Sequence, residues 1–496
     1  MQSTDNPALE FAPAGDRPSE KKSVWLLLGI CGAGMRAFAE MLLDAGQTVI
    51  GTDTDRDGLS RLQFLKNPHC SLIPWPTELN ADKYSCSTVV HSLAVPANSP
   101  LLIQARQLNL TVSPLPVAMG EFLKNSRQIC VAGTHGKTTT TGMIWWILQQ
   151  AGLKPAGYIG GEFLDTHHSG AFGSGQTSVI ESCEYRQSFL QLNPQTAVLT
   201  GIEPDHFDCF DVEQAADSAF QSFIERIPAD GTLIVNADNS RSLDVARVAG
   251  CSVFSFGSNT EADWMIRSLA MDSSRTTVTK PGPPFPAQVF EIFHCGKSIA
   301  EVRLRVPGLH NVENATAAFV AAMSEGLPPE EISRHLGSFS GIRRRFEYRG
   351  TWRGVDLVDD YAHHPSAISA TLRTARSCFP GRRLIAIFEP HQVSRTERLF
   401  SEFTQALTLF DECLVLPVLP ARENASSAEC CRISGRLVRR ISEAGGRAFL
   451  MANLDQVPGR LDHAARPGDV VITMGAGRTN QIHDEIHRRL LRDSAA

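Results

Sequence analysis

Residues 131–143 read VAGTHGKTTTTGM, and this pairing of glycines with a lysine and several threonines is phosphate chemistry. Amides near Gly133 and Gly136 can surround phosphate oxygens, Lys137 can neutralise charge in transfer, and a threonine hydroxyl can ligate magnesium. The longer common spacing would put glycine at 131, where this chain has Val131. The match is therefore to the shorter form G-[TS]-x-G-K-T, written here by Gly133, Thr134, His135, Gly136, Lys137, Thr138 and Thr139. A second glycine loop lies earlier, in GICGAGM. Gly29, Gly32 and Gly34 permit close backbone approach, and Gly32 to Ala37 fit G-x-G-x-x-A with Ala33 and Met35 inside it. Asp53 follows about 20 residues on, where a ribose-binding acid belongs. That loop points to a dinucleotide-like diphosphate without specifying a hydride donor.

Three further groups carry chemistry. Glu184 in VIESCEYRQSFL and His206 in TGIEPDHFD each follow an apolar strand, so each can sit at a strand's carboxyl end beside the phosphate loop. One oxygen and one imidazole ligand suffice for Mg²⁺, which keeps waters and substrate phosphates for the rest. Arg343, Arg344 and Arg345 fall near an expected domain junction, where an arginine can reach a γ-phosphate. His363 and His364 are adjacent on an extended stretch and point opposite ways, which argues against joint metal ligation.

These loops need strands to hold them. SVWLLLGICGAGMRAFAEMLLDAGQTVIGTD reads as a βαβ unit, with Leu26 to Leu28 a buried strand and Arg36 to Ala45 a helix. STVVHSLAV and LTVSPL continue the alternation of a parallel sheet. A helix with Met143, Ile144, Ile147 and Leu148 on its apolar face follows the phosphate loop, and TSVIES, TAVLTGI and GTLIVNAD read as strands. Residues 257 to 305 look less regular, with PGPPFP marking a surface excursion. PGLHNVENATAAFVAAMSEGL resumes a helix, and VDLVDDY, RRLIAIFEP, ECLVLPVLP and DVVITMGAG supply a third set of strands. The 496 residues thus read as about three linked α/β domains.

Composition narrows the partners. Apolar residues make up 42% and charged residues 20%, and the net charge is −6, against a broad basic surface for nucleic acid. The 12 cysteines form no C-x-x-C pair, so a structural zinc site is not indicated, and a reduced cytosolic protein is expected. Residues 1–22 are polar and lack the basic start and apolar core of a signal peptide.

Taken together, the motifs resemble the Mur ligase family from about residue 23 to 490. GICGAGM is similar to that family's loop for the UDP-sugar, and GTHGKTTTT to its ATP loop. IEPDHFD, PGLHNVENA, RRRFE, VDDYAHHP and PHQVSRT are similar to later signatures. The resemblance implies an α/β fold of three domains behind a flexible tail (1–22). These are an N-terminal Rossmann-like UDP-substrate domain (23–124), a central P-loop ATPase-like domain (125–339) and a C-terminal Rossmann-like amino-acid domain (340–496). It implies ATP and Mg²⁺ as cofactors and ATP, UDP-N-acetylmuramate and L-alanine as small-molecule partners. No nucleic acid, no membrane insertion, a cytoplasmic location and a monomer or homodimer complete the expectation. The γ-phosphate would pass to the muramyl carboxylate, and the amine of L-alanine would then attack the acyl phosphate.

By the same resemblance Lys137 holds the β/γ-phosphates and Thr138, Glu184 and His206 serve magnesium. His310, Asn311 and Asn314 meet adenosine, while Arg345 and Asp360 complete the ATP site. Gly29, Gly32, Ala33, Gly34, Met35, Asp53 and Ser92 meet the UDP-substrate. His364, His391, Gln392 and Arg395 meet the amino acid. Several positions depart from the family pattern: Cys31 for Gly, Cys183 and Arg186 for acids, Gly201 for Asn, Ala362 for Gly, and Glu389 for Gln. Gln392 stands for an arginine, and glutamine offers a carboxylate no charge. The alternatives are a sister ligase attaching a murein peptide, a ligase for glycine or serine, a nicotinamide-dependent oxidoreductase, and a catalytically weakened binding homologue.

Overall fold

The structure is a computed structural model that describes residues 23–62, 67–79, 86–205, 207, 209–210, 212–272 and 285–495. By contacts the chain divides into two units. One comprises Met1–Ile202, Asp217–Trp264 and Ala317–Leu336, the other Glu203–Ala216, Met265–Thr316 and Gly337–Ala496.

In the first unit, β1 (Val24–Leu28), β2 (Thr48–Asp53), β3 (Cys70–Pro74), β4 (Thr88–His91) and β5 (Thr111–Pro114) form a parallel sheet. Its order is β3-β2-β1-β4-β5. Leu26, Leu27 and Leu28 are fully buried, as an unbroken apolar run must be when both sheet faces are covered. The strand order reverses at β1, and the glycine loop leaves the carboxyl end of that strand, where ligands of open α/β sheets bind. The helix after it spans Ala33–Asp44, starting three residues before the apolar spacing does, because Gly32 serves as its N-cap. The apolar pattern reports only the buried face and is silent on a glycine cap.

A second sheet in this unit holds β6 (Arg127–Ala132), β7 (Ala156–Tyr158), β8 (Gly170–Ala171), β9 (Thr177–Glu181), β10 (Pro194–Leu199), β11 (Thr232–Asn236) and β12 (Ser252–Gly257). Their order is β12-β11-β10-β6-β9-β7-β8, and β7 with β8 is antiparallel. The helix Lys137–Gln150 rises from the carboxyl end of β6 and is buried from Thr138 to Leu148. The helix Ala33–Asp44 ties the two sheets together. Its Glu40 accepts hydrogen bonds from the amides of Ser169 and Gly170 at 2.6 and 2.8 Å, and its Asp44 accepts one from Phe172 at 2.6 Å. Gly170 lies so close to this helix that a Cβ there would come within 1.9 Å of the Ala37 carbonyl oxygen.

The stretch expected to be irregular contains three strands, β13 (Trp264–Asp272), β14 (Ala287–His294) and β15 (Lys297–Leu304). β14 and β15 form a hairpin with His294 opposite Lys297. Cys295 and Gly296 turn it with φ of 49° and 73°, the two positive values that a type I′ turn requires. A Cys-Gly pair is a weak sequence signal for that turn, which usually takes Asn-Gly or Asp-Gly. Residues 281–284 of the PGPPFP stretch lie outside the described residues, as does the 1–22 tail.

The second unit also carries β16 (Glu347–Trp352), β17 (Val355–Asp360), β18 (Leu384–Phe388), β19 (Glu412–Val415), β20 (Ala448–Leu450) and β21 (Val470–Met474). Their order is β16-β17-β21-β18-β19-β20, parallel except for β16 with β17. Side chains alternate between two apolar layers. Leu384, Ala386 and Phe388 join Phe403 and Leu437 on one face, while Ile385 and Ile387 join Leu414 and Ile486 on the other. The helix Leu309–Ser324 begins inside the PGLHNVENA motif. No disulfide joins any of the twelve cysteines. Among the described residues no helix is long and apolar enough to cross a membrane.

Candidate active site

The phosphate loop owes its shape to two glycines. Gly133 has φ 130° and Gly136 φ 80°, and a Cβ on Gly133 would fall 2.3 Å from the Thr200 hydroxyl oxygen and 2.8 Å from the Gly201 carbonyl oxygen. The Thr134 amide donates to the Gly201 carbonyl at 2.7 Å, and the Thr200 hydroxyl donates to the carbonyls of Ala132 and His135, fixing the loop to the end of β10. Lys137 folds back to donate to the carbonyls of Gly133 and Thr134, and its ammonium lies 2.9 and 3.1 Å from the two Glu184 oxygens. Burial alone would lower the Lys137 pKa; the charge and hydrogen bond of Glu184, together with the charges of Cys183 and Glu181, outweigh it and hold the group above the ordinary lysine range. Thr139 is buried beneath the loop. The Thr138 hydroxyl donates to Glu181 at 2.9 Å, and the other Glu181 oxygen accepts from the Gly160 amide at 2.6 Å.

Lys137, Thr138, Glu181 and Glu184 therefore meet at the carboxyl edge of the second sheet. Glu181 is the member that motif reading missed as a site residue, although its place at the end of β9, one strand from the phosphate loop, is the available signal. The oxygen donors of Thr138, Glu181 and Glu184 suit a hard divalent cation, and the glycine cradle suits phosphate, so the residues present fit magnesium and a nucleotide triphosphate. His206, expected as a further metal ligand, lies outside the described residues.

At the other loop of this unit, Gly29 has φ 91° and its amide donates to the Thr52 carbonyl at 2.8 Å. A Cβ there would stand 2.9 Å from that of Ser92, so Ser92 packs on the loop from the end of β4. No side chain caps the helix that starts at Ala33, which leaves its first amides for an anion. Met35 is buried behind the loop. The two Asp53 oxygens accept from the amides of Cys31 and Asp55 at 2.9 and 3.0 Å, so this side chain also braces the loop from within.

In the second unit, the arginine run forms a turn with Arg344 at φ 60° and Phe346 at φ 49°. The Arg344 carbonyl accepts from the Tyr361 amide at 2.6 Å, and the guanidinium carbons of Arg344 and Arg345 stand 5.1 and 4.9 Å from the centre of the Tyr361 ring. Asp360 accepts from the Ala362 amide and the Thr371 hydroxyl at 2.9 and 3.1 Å; burial pushes its carboxyl up to about 6 against the pull of Arg345.

Arg344 is held from below. Its Nη2 donates to the Gly475 carbonyl at 2.6 Å, and its Nε lies 3.4 Å from Asp359. The Thr473 hydroxyl is 2.7 Å from both Asp359 Oδ1 and His483 Nε2. Burial pushes His483 down to about 3, so the ring is neutral. Because the single hydroxyl proton goes to the carboxylate, His483 carries its proton on Nε2 and donates to Thr473. Thr473→Val should destabilise the protein by about 1–3 kcal/mol by stranding these buried groups. A lower urea midpoint checks this, and an unchanged midpoint contradicts it.

His310 lines a cavity of about 250 Å³ with Gln288, Arg373, Thr374 and Cys378. Asn311 and Asn314 are buried: Asn311 donates to the Pro307 carbonyl at 2.6 Å, and Asn314 donates to Asn311 at 3.1 Å. Of these three motif residues, only His310 lines the cavity.

The PHQVSRT stretch departs most from expectation. Arg395 is buried, with Nε and Nη2 donating to Asp205 at 2.8 and 2.7 Å and Nη1 donating to the His391 carbonyl at 3.1 Å. The same Nη1 lies 3.2 Å from His391 Nδ1, which must be the acceptor. Arg395 thus locks His391 in place. Gln392 is buried with φ 71°, and its amide donates to the Leu419 carbonyl. The adjacent histidines do diverge: His363 turns to the Tyr361 carbonyl and to His391, whereas buried His364 meets Ser366 and the Pro204 carbonyl.

Three family models match the chain in order: the Mur ligase family catalytic domain over residues 27–127, the Mur ligase middle domain over 131–322, and the Mur ligase glutamate ligase domain over 344–477. The chain belongs to the Mur ligase family, and its fold is α/β with a Rossmann-like N-terminal domain, a P-loop ATPase-like central domain and a Rossmann-like C-terminal domain. It is 34% identical over 463 residues to the UDP-N-acetylmuramate–L-alanine ligase of Acetivibrio thermocellus, covering 93% of this chain and 94% of that protein. It is 36% identical over 465 residues to the enzyme of the same name from Kineococcus radiotolerans, with the same coverage. Among solved structures, UDP-N-acetylmuramate-alanine ligase from Thermotoga maritima superposes with a TM-score of 0.77 at 23% identity, covering 95% of this chain and 99% of that one, a likeness of fold. A murein peptide ligase from Psychrobacter arcticus gives 0.69 at 26% identity, covering 94% and 98%.

Proposed function

We propose that this protein is an ATP-dependent ligase that forms an amide bond between L-alanine and the carboxylate of UDP-N-acetylmuramate, through an acyl phosphate, in peptidoglycan precursor synthesis. One observation carries the reading. A glycine loop with an uncapped helix start shares a compact unit with a phosphate loop whose Lys137 and Thr138 meet Glu184 and Glu181. An ATPase loop beside a diphosphate loop is the equipment for activating an acid on a nucleotide-linked substrate.

A carboxylate resists attack by an amine because its oxygens are poor leaving groups, and phosphorylation supplies a good one. Two anions must approach for that step, so preorganised positive charge is the main requirement. Lys137 supplies it at the phosphates, and the amides from Gly133 to Thr139 orient them. Thr138, Glu181 and Glu184, with His206, would hold magnesium, which adds charge neutralisation at the phosphate oxygens when bound. Arg345 and Asp360, with His310, Asn311 and Asn314, are the proposed ATP contacts from elsewhere in the chain. Gly29, Gly32, Ala33, Gly34, Met35, Asp53 and Ser92 take the UDP-substrate, and Asp53 also braces the loop. His391 faces the amino acid, set by Arg395, with Gln392 and His364 behind it. The proposed domain ranges are 23–124, 125–339 and 340–496, and the proposed setting is a cytoplasmic monomer or homodimer.

The test is phosphate release on mixing protein, ATP, magnesium and UDP-N-acetylmuramate with alanine, glycine, serine or a murein tripeptide. Alanine should give the highest kcat/KM. Release with the tripeptide and none with alanine overturns the assignment.

A further inference from the structure

Tyr158 belongs to no motif, yet it stands where the two loops of the first unit approach each other. It ends β7, opposite Ile180 of β9; the next residue of β9 is Glu181, which is opposite Val131 of β6. Tyr158, Glu181 and the phosphate loop thus leave one carboxyl edge on neighbouring strands. The phenol points across to the other loop. A Cβ built on Gly34 would lie 2.4 Å from the Tyr158 hydroxyl oxygen and 3.5 Å from Cζ. Gly34 is the second residue of a twelve-residue helix whose start no side chain caps. Among the described residues the hydroxyl has no hydrogen-bond partner. Burial, and after it the charges of Glu181 and Cys183, push the phenol above its ordinary range, so it keeps its proton and serves as a donor.

We propose that Tyr158 is a substrate-binding residue whose hydroxyl donates a hydrogen bond to an anionic oxygen of the UDP-sugar, between the glycine loop and the phosphate loop. This rests on the ligase reading above. Two anions of one substrate share the required chemistry: the diphosphate, which the free amides at Ala33 and Gly34 would hold, and the carboxylate that is to be phosphorylated. The position also explains the glycine. A methyl group at 34 would occupy the space the hydroxyl needs, so the glycine in this helical position makes room for the tyrosine.

The experiment is calorimetric titration of wild-type protein and Tyr158→Phe with UDP, UDP-N-acetylmuramate and ATP, alongside urea unfolding. Tyr158→Phe should keep the wild-type urea midpoint and its ATP affinity while weakening UDP-N-acetylmuramate about tenfold, the scale of one hydrogen bond to a charged oxygen. Weakened UDP as well assigns the bond to the diphosphate; unchanged UDP assigns it to the carboxylate. Unchanged affinity for UDP-N-acetylmuramate overturns the inference, as does a loss confined to ATP or a fall in midpoint that accounts for the weakening. A wild-type protein that binds no UDP-N-acetylmuramate overturns the ligase reading itself and this inference with it. Gly34→Ala is a second variant that meets the same hydroxyl from the other side and should weaken UDP-N-acetylmuramate at least as much.

Discussion

Lys137→Met is expected to lower ATP-dependent phosphate release by at least about 10³-fold, the scale on which preorganised positive charge acts in acyl and phosphoryl transfer. Methionine keeps the unbranched reach of the side chain and removes only the ammonium, which makes it a cleaner change than alanine. The variant also tests why Lys137 rests where it does. Its ammonium is shared between the carbonyls of Gly133 and Thr134 and the Glu184 carboxylate, so the charge stays hydrogen-bonded without phosphate. In Lys137→Met the buried Glu184 loses that partner, which by itself can lower stability. Unfolding must therefore be followed in parallel. A variant that is folded and inactive assigns the loss to the missing charge. A variant that is folded with unchanged turnover removes Lys137 from the chemistry.

Much of this centre was legible in the sequence because its signals are local. A glycine loop between an apolar run and a helix needs no tertiary information, and both loops sit at the carboxyl ends of the strands that the apolar runs mark. What was hidden arises from chain meeting chain. Nothing around Tyr158 in LKPAGYIGG announces that its hydroxyl lies over Gly34, more than a hundred residues earlier. Asp53 has the spacing of a ribose ligand, and its further hold on the amides of Cys31 and Asp55 exists only in the folded loop. The β14–β15 hairpin was missed because positive φ at Cys295 is unusual for a residue with a side chain, and no pattern flags it. Arg395 shows the same limit in a site residue. Its type and position suggest a carboxylate grip, whereas the fold spends both guanidinium edges on Asp205 and His391.

That last arrangement makes a strong demand on stability. Asp205→Ala should destabilise the protein by about 3–5 kcal/mol, the usual result of removing one partner from a buried ion pair. The arginine side chain is 3% exposed and the aspartate 8%, so water cannot replace the lost carboxylate. The effect should reach the amino acid as well. Arg395 Nη1 contacts both the carbonyl and Nδ1 of His391, so a guanidinium released from Asp205 no longer fixes that ring, and the KM for alanine should rise more than the KM for ATP. A double variant separates the two consequences. Asp205→Ala with Arg395→Met replaces the stranded charge by an apolar side chain and should recover most of the urea midpoint, because removing both members of a buried pair is far less damaging than removing one. It should not recover the KM for alanine, since methionine cannot hold His391. If Asp205→Ala unfolds at the wild-type midpoint, the pair is not buried in solution. If the double variant restores alanine turnover along with stability, His391 does not depend on Arg395 for its position.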